Sequence, residues 1–246
     1  MPAPSARPLI LGHRGASLVA PENTLLAYRR AADMGADGLE FDVQRSADGA
    51  LPLIHDDRVD RTTDGRGVVG DLPWAALAAL DAGGGERIPT LDEALAFAAA
   101  VNARRPFFLD IELKMPGVGP DTLAALARAD YRGPLALSSF DYPTLEEARR
   151  RDGAVELWLL ADAWDDDLPR RARAIAATCL ALKHKLLDAT MVAAVEAAGL
   201  GVVAWTADAP ADIRRLLALG PILRALISNA PDVALAERDA GASREG

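Results

Sequence analysis

The sequence alternates short apolar runs with helical patterns, and this alternation constrains the fold more than any other feature. Each apolar run is typical of a buried strand, and helix-capping residues and helix-ending glycines punctuate the segments between the runs. Eight such strand–helix units in 246 residues agree with the usual length of a (β/α)8 barrel, so we predict an α/β fold of the TIM-barrel class. The predicted strands are 9–12, 38–43, 107–113, 135–139, 155–160, 179–183, 201–206 and 225–228.

An open, doubly wound parallel sheet is the alternative arrangement of the same units. No Gly-x-Gly-x-x-Gly motif follows a predicted strand, which weakens that alternative. In a barrel, the chemistry lies at the C-terminal face, where the strands end and the loops begin. Chemically functional side chains fall near the predicted strand ends, which supports the barrel: His13, Glu40, Asp42, Glu112, Lys114, Trp205 and Ser228.

A long excursion, residues 44–89, separates the second predicted strand from its helix. A turn at 47–50 precedes a short predicted strand, 51–54, which leads to His55. Excursions of this length are uncommon in compact domains and are usually functional. We therefore predict a single domain over residues 1–246, with a small insertion after strand two.

The charge balance is acidic, with 27 Lys and Arg against 36 Asp and Glu and a formal net charge of -9. This balance argues against a nucleic-acid-binding protein, which needs a basic face. An anionic small-molecule substrate remains compatible with it, because a bound metal and a nearby arginine reverse the local field.

The cysteine count and the absence of long apolar runs bear on the cellular compartment and on contact with a membrane. The only cysteine, Cys179, excludes an intramolecular disulfide and fits a reducing compartment, and we interpret it as a small apolar strand residue. No basic segment followed by a long apolar run begins the sequence, and no uncharged run reaches about 18 residues. We predict a cytoplasmic protein without a signal peptide or transmembrane segment, and the oligomeric state is left open.

Two carboxylates lie two residues apart in the apolar run 38–43. In a strand, Glu40 and Asp42 point to the same face, and burying ionised carboxylates is costly unless a cation or hydrogen bonds compensate them. A divalent metal is the simplest compensation, and Glu112 offers a third oxygen ligand, which favours Mg²⁺ or Ca²⁺ over Zn²⁺. The alternative is that Arg14 or Lys114 forms ion pairs with these acids inside a polar barrel mouth.

Two histidines lie close in sequence to these acids. His13 is followed by an arginine, whose planar fork suits a phosphate, and by a glycine that lets a ligand approach the backbone. Together with His55, it suits paired acid and base roles near neutral pH. Trp205 is either core packing or one wall of a substrate pocket, and we predict the substrate-binding role. His184 is interpreted as a loop histidine without a catalytic role.

Taken together, these motifs resemble the glycerophosphodiester phosphodiesterase family. The matching segments follow the family's order along almost the whole chain, and those of the first half are highly specific. They are HRGA at 13–16, PENT at 21–24, GAD at 35–37, EFDV at 40–43, Pro52, HD at 55–56, RTT at 61–63 with Gly65 and Gly67, PTLDEA at 89–94, IELK at 111–114, SF at 139–140 and AWT at 204–206.

The resemblance implies a TIM-barrel hydrolase of lipid and glycerol metabolism. Such an enzyme converts glycerophosphodiesters to sn-glycerol 3-phosphate and an alcohol. The insertion after strand two also matches the family. The implied roles are an acid–base pair, His13 and His55; ligands of Mg²⁺ or Ca²⁺, Glu40, Asp42 and Glu112; and phosphate-binding residues, Arg14 and Lys114.

Two other functions fit part of this pattern. A lysophospholipase D-like diesterase of the same fold would need a large exposed apolar surface near the site, and the aromatic content of 5% argues against it. A non-catalytic phosphoester-binding barrel would be expected to lose one of the histidines or acids, whereas this chain keeps all five.

The chain departs from the usual family pattern near its C-terminus. The family usually has valine and asparagine after the Trp-Thr pair, where this chain has Ala207 and Asp208. It usually has Thr-Asp-x-Pro near the end, where this chain has Ser228-Asn229-Ala230-Pro231. None of these positions belongs to the predicted catalytic set. We expect them to affect substrate preference, because loops after strands six to eight line the pocket.

Overall fold

The protein is a closed barrel of eight parallel strands, seen in a computed structural model that describes residues 7–242. Each strand pairs with the next in sequence, and the first pairs with the last, so the sheet has no free edge. The strands are β1 Leu9–His13, β2 Gly38–Val43, β3 Phe108–Leu113, β4 Leu135–Ser139, β5 Glu156–Ala161, β6 Cys179–Lys183, β7 Gly201–Trp205 and β8 Leu223–Ser228.

Helices follow the strands and cover the outside of the barrel. The α-helices are α1 Leu25–Asp33, α2 Trp74–Leu77, α3 Leu91–Asn102, α4 Val118–Arg128, α5 Tyr142–Arg151, α6 Leu168–Ala174, α7 Ala189–Ala197, α8 Pro210–Leu217 and α9 Pro231–Ala242. Four of them, α1, α3, α5 and α7, begin at a side chain that caps the first free backbone amides, as Thr24 and Thr90 do. Short 3-10 helices cover Val69–Asp71, His184–Leu186 and Gly220–Ile222.

Apolar side chains fill the barrel from its N-terminal end, where the strands begin. Phe108 and Trp158 stack there with ring centroids 5.2 Å apart. Leu11, Cys179 and Val203 continue this interior core. A larger apolar layer lies between the strands and the helices. Polar groups are therefore left for the C-terminal end, and the prediction of a TIM barrel is confirmed.

The insertion lies between β2 and α3, as predicted, and has a small apolar core of its own. Ile54, Val59, Val69, Leu77 and Ile88 are buried together in it. The predicted strand 51–54 is wrong. That segment makes only isolated bridges, Val43 with Leu53 and Pro52 with Thr90, because a proline interrupts a run of only four residues.

The sequence predicts neither a signal peptide nor a transmembrane segment, and the described residues bear on these two predictions to different degrees. Residues 1–6, on which the prediction about a signal peptide partly depends, lie outside the described residues, as do residues 243–246. Between residues 7 and 242, no helix combines the length and apolarity needed to cross a membrane.

Candidate active site

The turn after β1 brings its backbone against helix α1. Gly15 has a φ of 87°, and a Cβ there would lie 2.6 Å from Ala27 atoms of α1, so only glycine fits this close approach. Arg14 lies in the left-handed region at φ 53°. Its backbone amide donates to the Glu40 carbonyl at 2.9 Å and to a Glu40 carboxylate oxygen at 3.0 Å. The turn therefore fixes His13 and Arg14 beside β2.

Three carboxylates converge where β2 and β3 end. The strand register places Asp42 opposite Glu112, and Glu40 lies two residues earlier on the same face. One oxygen from each of these three side chains lies within 4.8 Å of the others, and all three residues are buried. The structure thus brings together the acids that the sequence singled out.

Two cations lie against the acids. Lys114 Nζ is 2.7 Å from Glu112 Oε1 and 3.4 Å from Asp42 Oδ1. Arg14 Nε is 3.3 Å from Asp42 Oδ2, and its Nη1 is 2.7 Å from Glu22. The ion pairing considered as an alternative therefore exists alongside the acidic cluster, and two cations face three carboxylates.

Burial and mutual repulsion raise the pKa values of two of the acids, whereas the neighbouring cations lower the pKa of the third. Burial, with the charges of Asp42 and Glu112, raises the pKa of Glu40 well above its usual range. Burial and the Asp42 charge raise the pKa of Glu112 to about 7. Burial also acts on Asp42, but Lys114 and Arg14 outweigh it and lower the pKa of that carboxyl. Asp42 is therefore the group held as an anion.

The donor set fits a divalent cation. All three converging groups are hard oxygen donors. Asp42 Oδ1 is buried and accepts no hydrogen bond, with Lys114 Nζ 3.4 Å away, so this oxygen is available to bind a metal ion. The site can therefore hold a divalent metal ion.

The second oxygen of Asp42 is oriented by Asn23, which the sequence presented only as part of the PENT motif at 21–24. Its Nδ2 donates to Asp42 Oδ2 at 2.8 Å, and its Oδ1 accepts from the buried Tyr28 hydroxyl at 3.2 Å. Thr24 is the residue that caps α1. The local sequence does not show that Asn23 orients Asp42 while Thr24 caps the helix, because the contact between Asn23 and Asp42 spans 19 positions.

His13 lies at the end of β1 with its ring between the acids and the C-terminal loops. Its Nε2 is 3.8 Å from Glu40 Oε2, and its Nδ1 is 2.6 Å from Asn229 Oδ1. Burial and the neighbouring Arg14 charge lower the pKa of His13 to about 4, although the Asn229 contact acts in the opposite direction. Asn229 thus contacts a predicted catalytic residue, which the sequence did not indicate.

His55 belongs to the insertion and is held by a different set of groups. Its Nδ1 is 2.6 Å from Asp56 Oδ1. Arg61 makes two hydrogen bonds to Asp56 and two to Glu22, and the Arg61 bonds lower the pKa of Asp56. The buried Gln44 amide donates to the backbone carbonyls of Ile54, His55 and Asp56.

Glu22 joins the two histidine regions. It accepts from Arg14 on the barrel side and from Arg61 on the insertion side. The sequence indicated no role for Glu22, and Arg61 stood out only as part of the RTT motif at 61–63. The contact between Glu22 and Arg61 spans 39 positions, so the local sequence around either residue does not predict it.

Trp205 lies at the same end of the barrel, at the end of β7. Its indole N–H donates to the Ala181 carbonyl at 3.0 Å, and Phe140 meets it edge-on with centroids 5.6 Å apart. Trp205 is partly exposed, and its side chain also packs against the interior core of the barrel. Leu18 and Val19, in the loop after β1, are 70% and 60% exposed.

Two other residues weighed from the sequence, His184 and Cys179, are both buried. His184 is buried in a short 3-10 helix rather than in an open loop, with Arg215 and Asp212 beside it. Cys179 is buried in the barrel interior, as interpreted. A groove of about 1240 Å³ lies at the N-terminal end of the barrel, lined in part by Leu9, Phe108 and Arg224. It is remote from the acidic cluster at the opposite end.

A barrel with buried acids, cations and histidines at its C-terminal face defines the class of TIM-barrel enzymes. The sequence model of the Glycerophosphoryl diester phosphodiesterase family matches residues 13–233. The chain belongs to this family.

Relatives of known name and structure agree with this assignment. A glycerophosphodiester phosphodiesterase of Caldanaerobacter subterraneus subsp. tengcongensis is 32% identical over 224 residues, covering 86% of this chain and 90% of that protein. An Oleispira antarctica phosphodiesterase, solved in complex with the product sn-glycerol-3-phosphate, is 31% identical with a TM-score of 0.86, covering 95% of this chain and 97% of that one. A glycerophosphodiester phosphodiesterase structure from Agrobacterium tumefaciens is 26% identical with a TM-score of 0.76, covering 93% and 99%.

Proposed function

We propose that the protein is a metal-dependent diesterase that hydrolyses glycerophosphodiesters to sn-glycerol 3-phosphate and an alcohol. The observation that carries the proposal is the convergence of Glu40, Asp42 and Glu112, with one oxygen of each within 4.8 Å of the others. The family assignment and the relative that binds sn-glycerol-3-phosphate support the choice of substrate.

Glu40, Asp42 and Glu112 are the residues that would hold Mg²⁺ or Ca²⁺. When bound, such an ion supplies positive charge that neutralises phosphate oxygens and the charge that develops on them during P–O cleavage. Arg14 and Lys114 are already within ion-pair distance of Asp42. Both lie where they would reach a phosphate placed against the acidic cluster, and the Arg14 fork would bind two of its oxygens.

The two histidines would move the protons. His13 faces a neutral amide and Arg14, and these surroundings favour the neutral ring, as a base requires. His55 contacts the Asp56 carboxylate through Nδ1, which leaves Nε2 as the position from which it would give a proton to the leaving group. We therefore assign His13 to removing a proton from the attacking oxygen and His55 to protonating the departing alkoxide.

A second candidate substrate class is lysophospholipid. Leu18, Val19 and Phe140 expose apolar surface at or near the barrel mouth, and Trp205 continues it through its contact with Phe140. An acyl chain would be accommodated by such a surface, whereas the short alcohols of glycerophosphodiesters need none of it.

One assay panel tests both candidates. Glycerophosphocholine, glycerophosphoethanolamine and a lysophospholipid are incubated with metal-free enzyme, and then with Mg²⁺ or Ca²⁺. We expect EDTA to abolish activity, either metal to restore it, and sn-glycerol 3-phosphate to be released from the first two substrates. Full activity in chelator contradicts the metal assignment, and turnover confined to the lysophospholipid favours the second candidate.

Two variants separate metal binding from phosphate binding. Asp42→Asn weakens the metal site, so excess metal partly restores its rate. Arg14→Ala removes phosphate neutralisation in the ground state and the transition state, so KM rises while kcat falls. Excess metal leaves Arg14→Ala unchanged, which makes it the matched control for Asp42→Asn.

A further inference from the structure

The loops after β7 and β8 form a hydrogen-bonded unit that ends on His13. Asp208 accepts three hydrogen bonds from the β8 loop: the Ser228 hydroxyl at 2.9 Å, the Asn229 backbone amide at 2.8 Å and Asn229 Nδ2 at 2.7 Å. Asn229 Oδ1, on the other side of the same amide, accepts from the Ser17 hydroxyl at 2.7 Å and contacts His13 Nδ1 at 2.6 Å.

The chemistry of these groups leaves one orientation for the amide. An ionised Asp208 carboxylate only accepts hydrogen bonds, so the NH₂ of Asn229 must face it. The Asn229 oxygen then faces His13, and Nδ1 of the ring must carry a proton to donate to it. The exchangeable position is left at Nε2, which points towards Glu40 at 3.8 Å.

We infer that Asp208 and Asn229 are positioning residues that fix the tautomer and the ring orientation of His13. The inference rests on the proposed function in one respect, the role of His13 in proton transfer. Asp208 does not touch His13; it acts by preventing the Asn229 amide from turning over.

Replacing only one of the two residues leaves two donors or two acceptors facing each other. In Asp208→Asn, two NH₂ groups face each other unless one amide turns over. If Asn229 turns, its NH₂ points at His13 Nδ1 and imposes the other tautomer, with the proton on Nε2. In Asn229→Asp, two carboxylates meet across 2.7 Å and repel each other.

Exchanging both residues restores complementarity. In Asp208→Asn/Asn229→Asp, the new amide donates to the new carboxylate, whose second oxygen accepts from His13 Nδ1 and from Ser17. A merely structural role for either residue predicts no such recovery in catalysis.

The experiment combines kinetics with ¹⁵N NMR of the histidine rings at pH 7.5 in the metal-loaded, full-length protein. We expect each single variant to lose about 10–100-fold in kcat with little change in KM, the usual effect of removing a group that orients a reactive side chain. The double exchange should recover about tenfold or more over either single variant, as expected for two groups that share a bond.

The ring spectrum gives a readout that does not depend on turnover. His13, identified by its absence from the His13→Ala spectrum, should show the Nδ1–H tautomer in the parent and in the double exchange. Asp208→Asn should lose that tautomer. Asp212→Asn is the matched control, because the same substitution four positions later lies beside His184 and Arg215 and should leave the His13 spectrum and kcat unchanged.

Three results overturn the inference: an Nε2–H tautomer in the parent, parental kcat in Asp208→Asn, or a folded double exchange no faster than the slower single variant. If the double exchange does not fold, the spectra of the parent and of Asp208→Asn still decide the question. An enzyme with no activity on any glycerophosphodiester contradicts the proposed function instead, and the tautomer is still measured.

Discussion

The two candidate proton-transfer histidines are held by opposite means. His13 ends a barrel strand and contacts the neutral Asn229 amide, and its side chain is 18% exposed. His55 follows a bridge in the insertion and contacts the Asp56 carboxylate, and its side chain is 33% exposed. In both rings Nδ1 meets an acceptor, so Nε2 is the free position in each.

This difference in surroundings is the basis for the different roles that we propose for the two histidines. Burial and the neighbouring Arg14 charge favour an uncharged His13 ring, whereas the His55 ring contacts a carboxylate that Arg61 holds in place. The barrel fixes the first histidine through short bonds between strand ends. The insertion fixes the second through ion pairs that are partly exposed to solvent.

Removing either ring has the largest expected effect. His13→Ala and His55→Ala should each lower kcat/KM about 10²–10⁴-fold, the usual contribution of a positioned proton-transfer group. The double variant should lose less than the product of the two, because residues that act as a unit are not additive. The measurement is steady-state kinetics on an alkyl glycerophosphodiester. His184→Ala is the control, and parental rates in both site variants would contradict the assignment.

The leaving group distinguishes the two roles. A p-nitrophenolate departs with little protonation, so His55→Ala should recover most of its loss on a p-nitrophenyl diester, whereas His13→Ala should recover little. The ratio of rates on p-nitrophenyl and alkyl substrates measures this directly. The reverse pattern would show that His13 is the acid and His55 the base.

Removing the ion pairs that support His55, while keeping the ring itself, should lower the rate less. Arg61→Ala removes four hydrogen bonds to Asp56 and Glu22, so His55 loses its support and kcat should fall roughly tenfold, the lower end for a supporting group. The parent should lose part of its activity at high salt, because exposed ion pairs are screened. Arg58→Ala, which breaks an exposed pair with Asp60 in the same insertion, serves as the control.

The smallest expected effect concerns the buried acids of the barrel. In the metal-free protein, they should make the free energy of unfolding depend on pH. Burial raises the pKa of Asp110 to about 8 and of Glu112 to about 7, against about 4 when unfolded. The folded protein therefore holds more protons than the unfolded chain, and its stability falls as pH rises through these values. Below pH 6.5 the lowered pKa of His13 acts in the opposite sense.

Thermal unfolding in EDTA from pH 6.5 to 8.5 measures this dependence. We expect Tm to fall by about 2–4 °C for each kcal/mol lost in a chain of this size. Asp110→Asn should flatten the upper part of the curve, and added metal should raise Tm more at pH 8 than at pH 6.5. A Tm that rises across this range without metal would contradict the assigned shifts.

The fold was predictable because its signals are local. The runs at 38–43, 135–139 and 179–183 coincide with β2, β4 and β6, since near-continuous apolar segments bounded by turns have few other uses. The acids were predictable for the same reason: Glu40 and Asp42 interrupt such a run on a single face.

The groups that orient the site were not predictable, because their partners meet only in the closed barrel. Asn229 reaches His13 across 216 positions, and Asp208 reaches Asn229 across 21. The sequence showed Asp208 and Asn229 as two separate departures from the usual family pattern and suggested an effect on substrate preference. The structure shows that they are one contact, and that this contact meets His13, the residue proposed here to transfer a proton.

The order of that contact has an evolutionary consequence. The usual family pattern places asparagine after β7 and aspartate after β8, whereas this chain carries the same two residue types in the reverse order. A single replacement from either order leaves two amides or two carboxylates face to face. The two positions are therefore expected to change together among relatives, with amide–amide pairs as the tolerated intermediates and paired aspartates as the rarest combination.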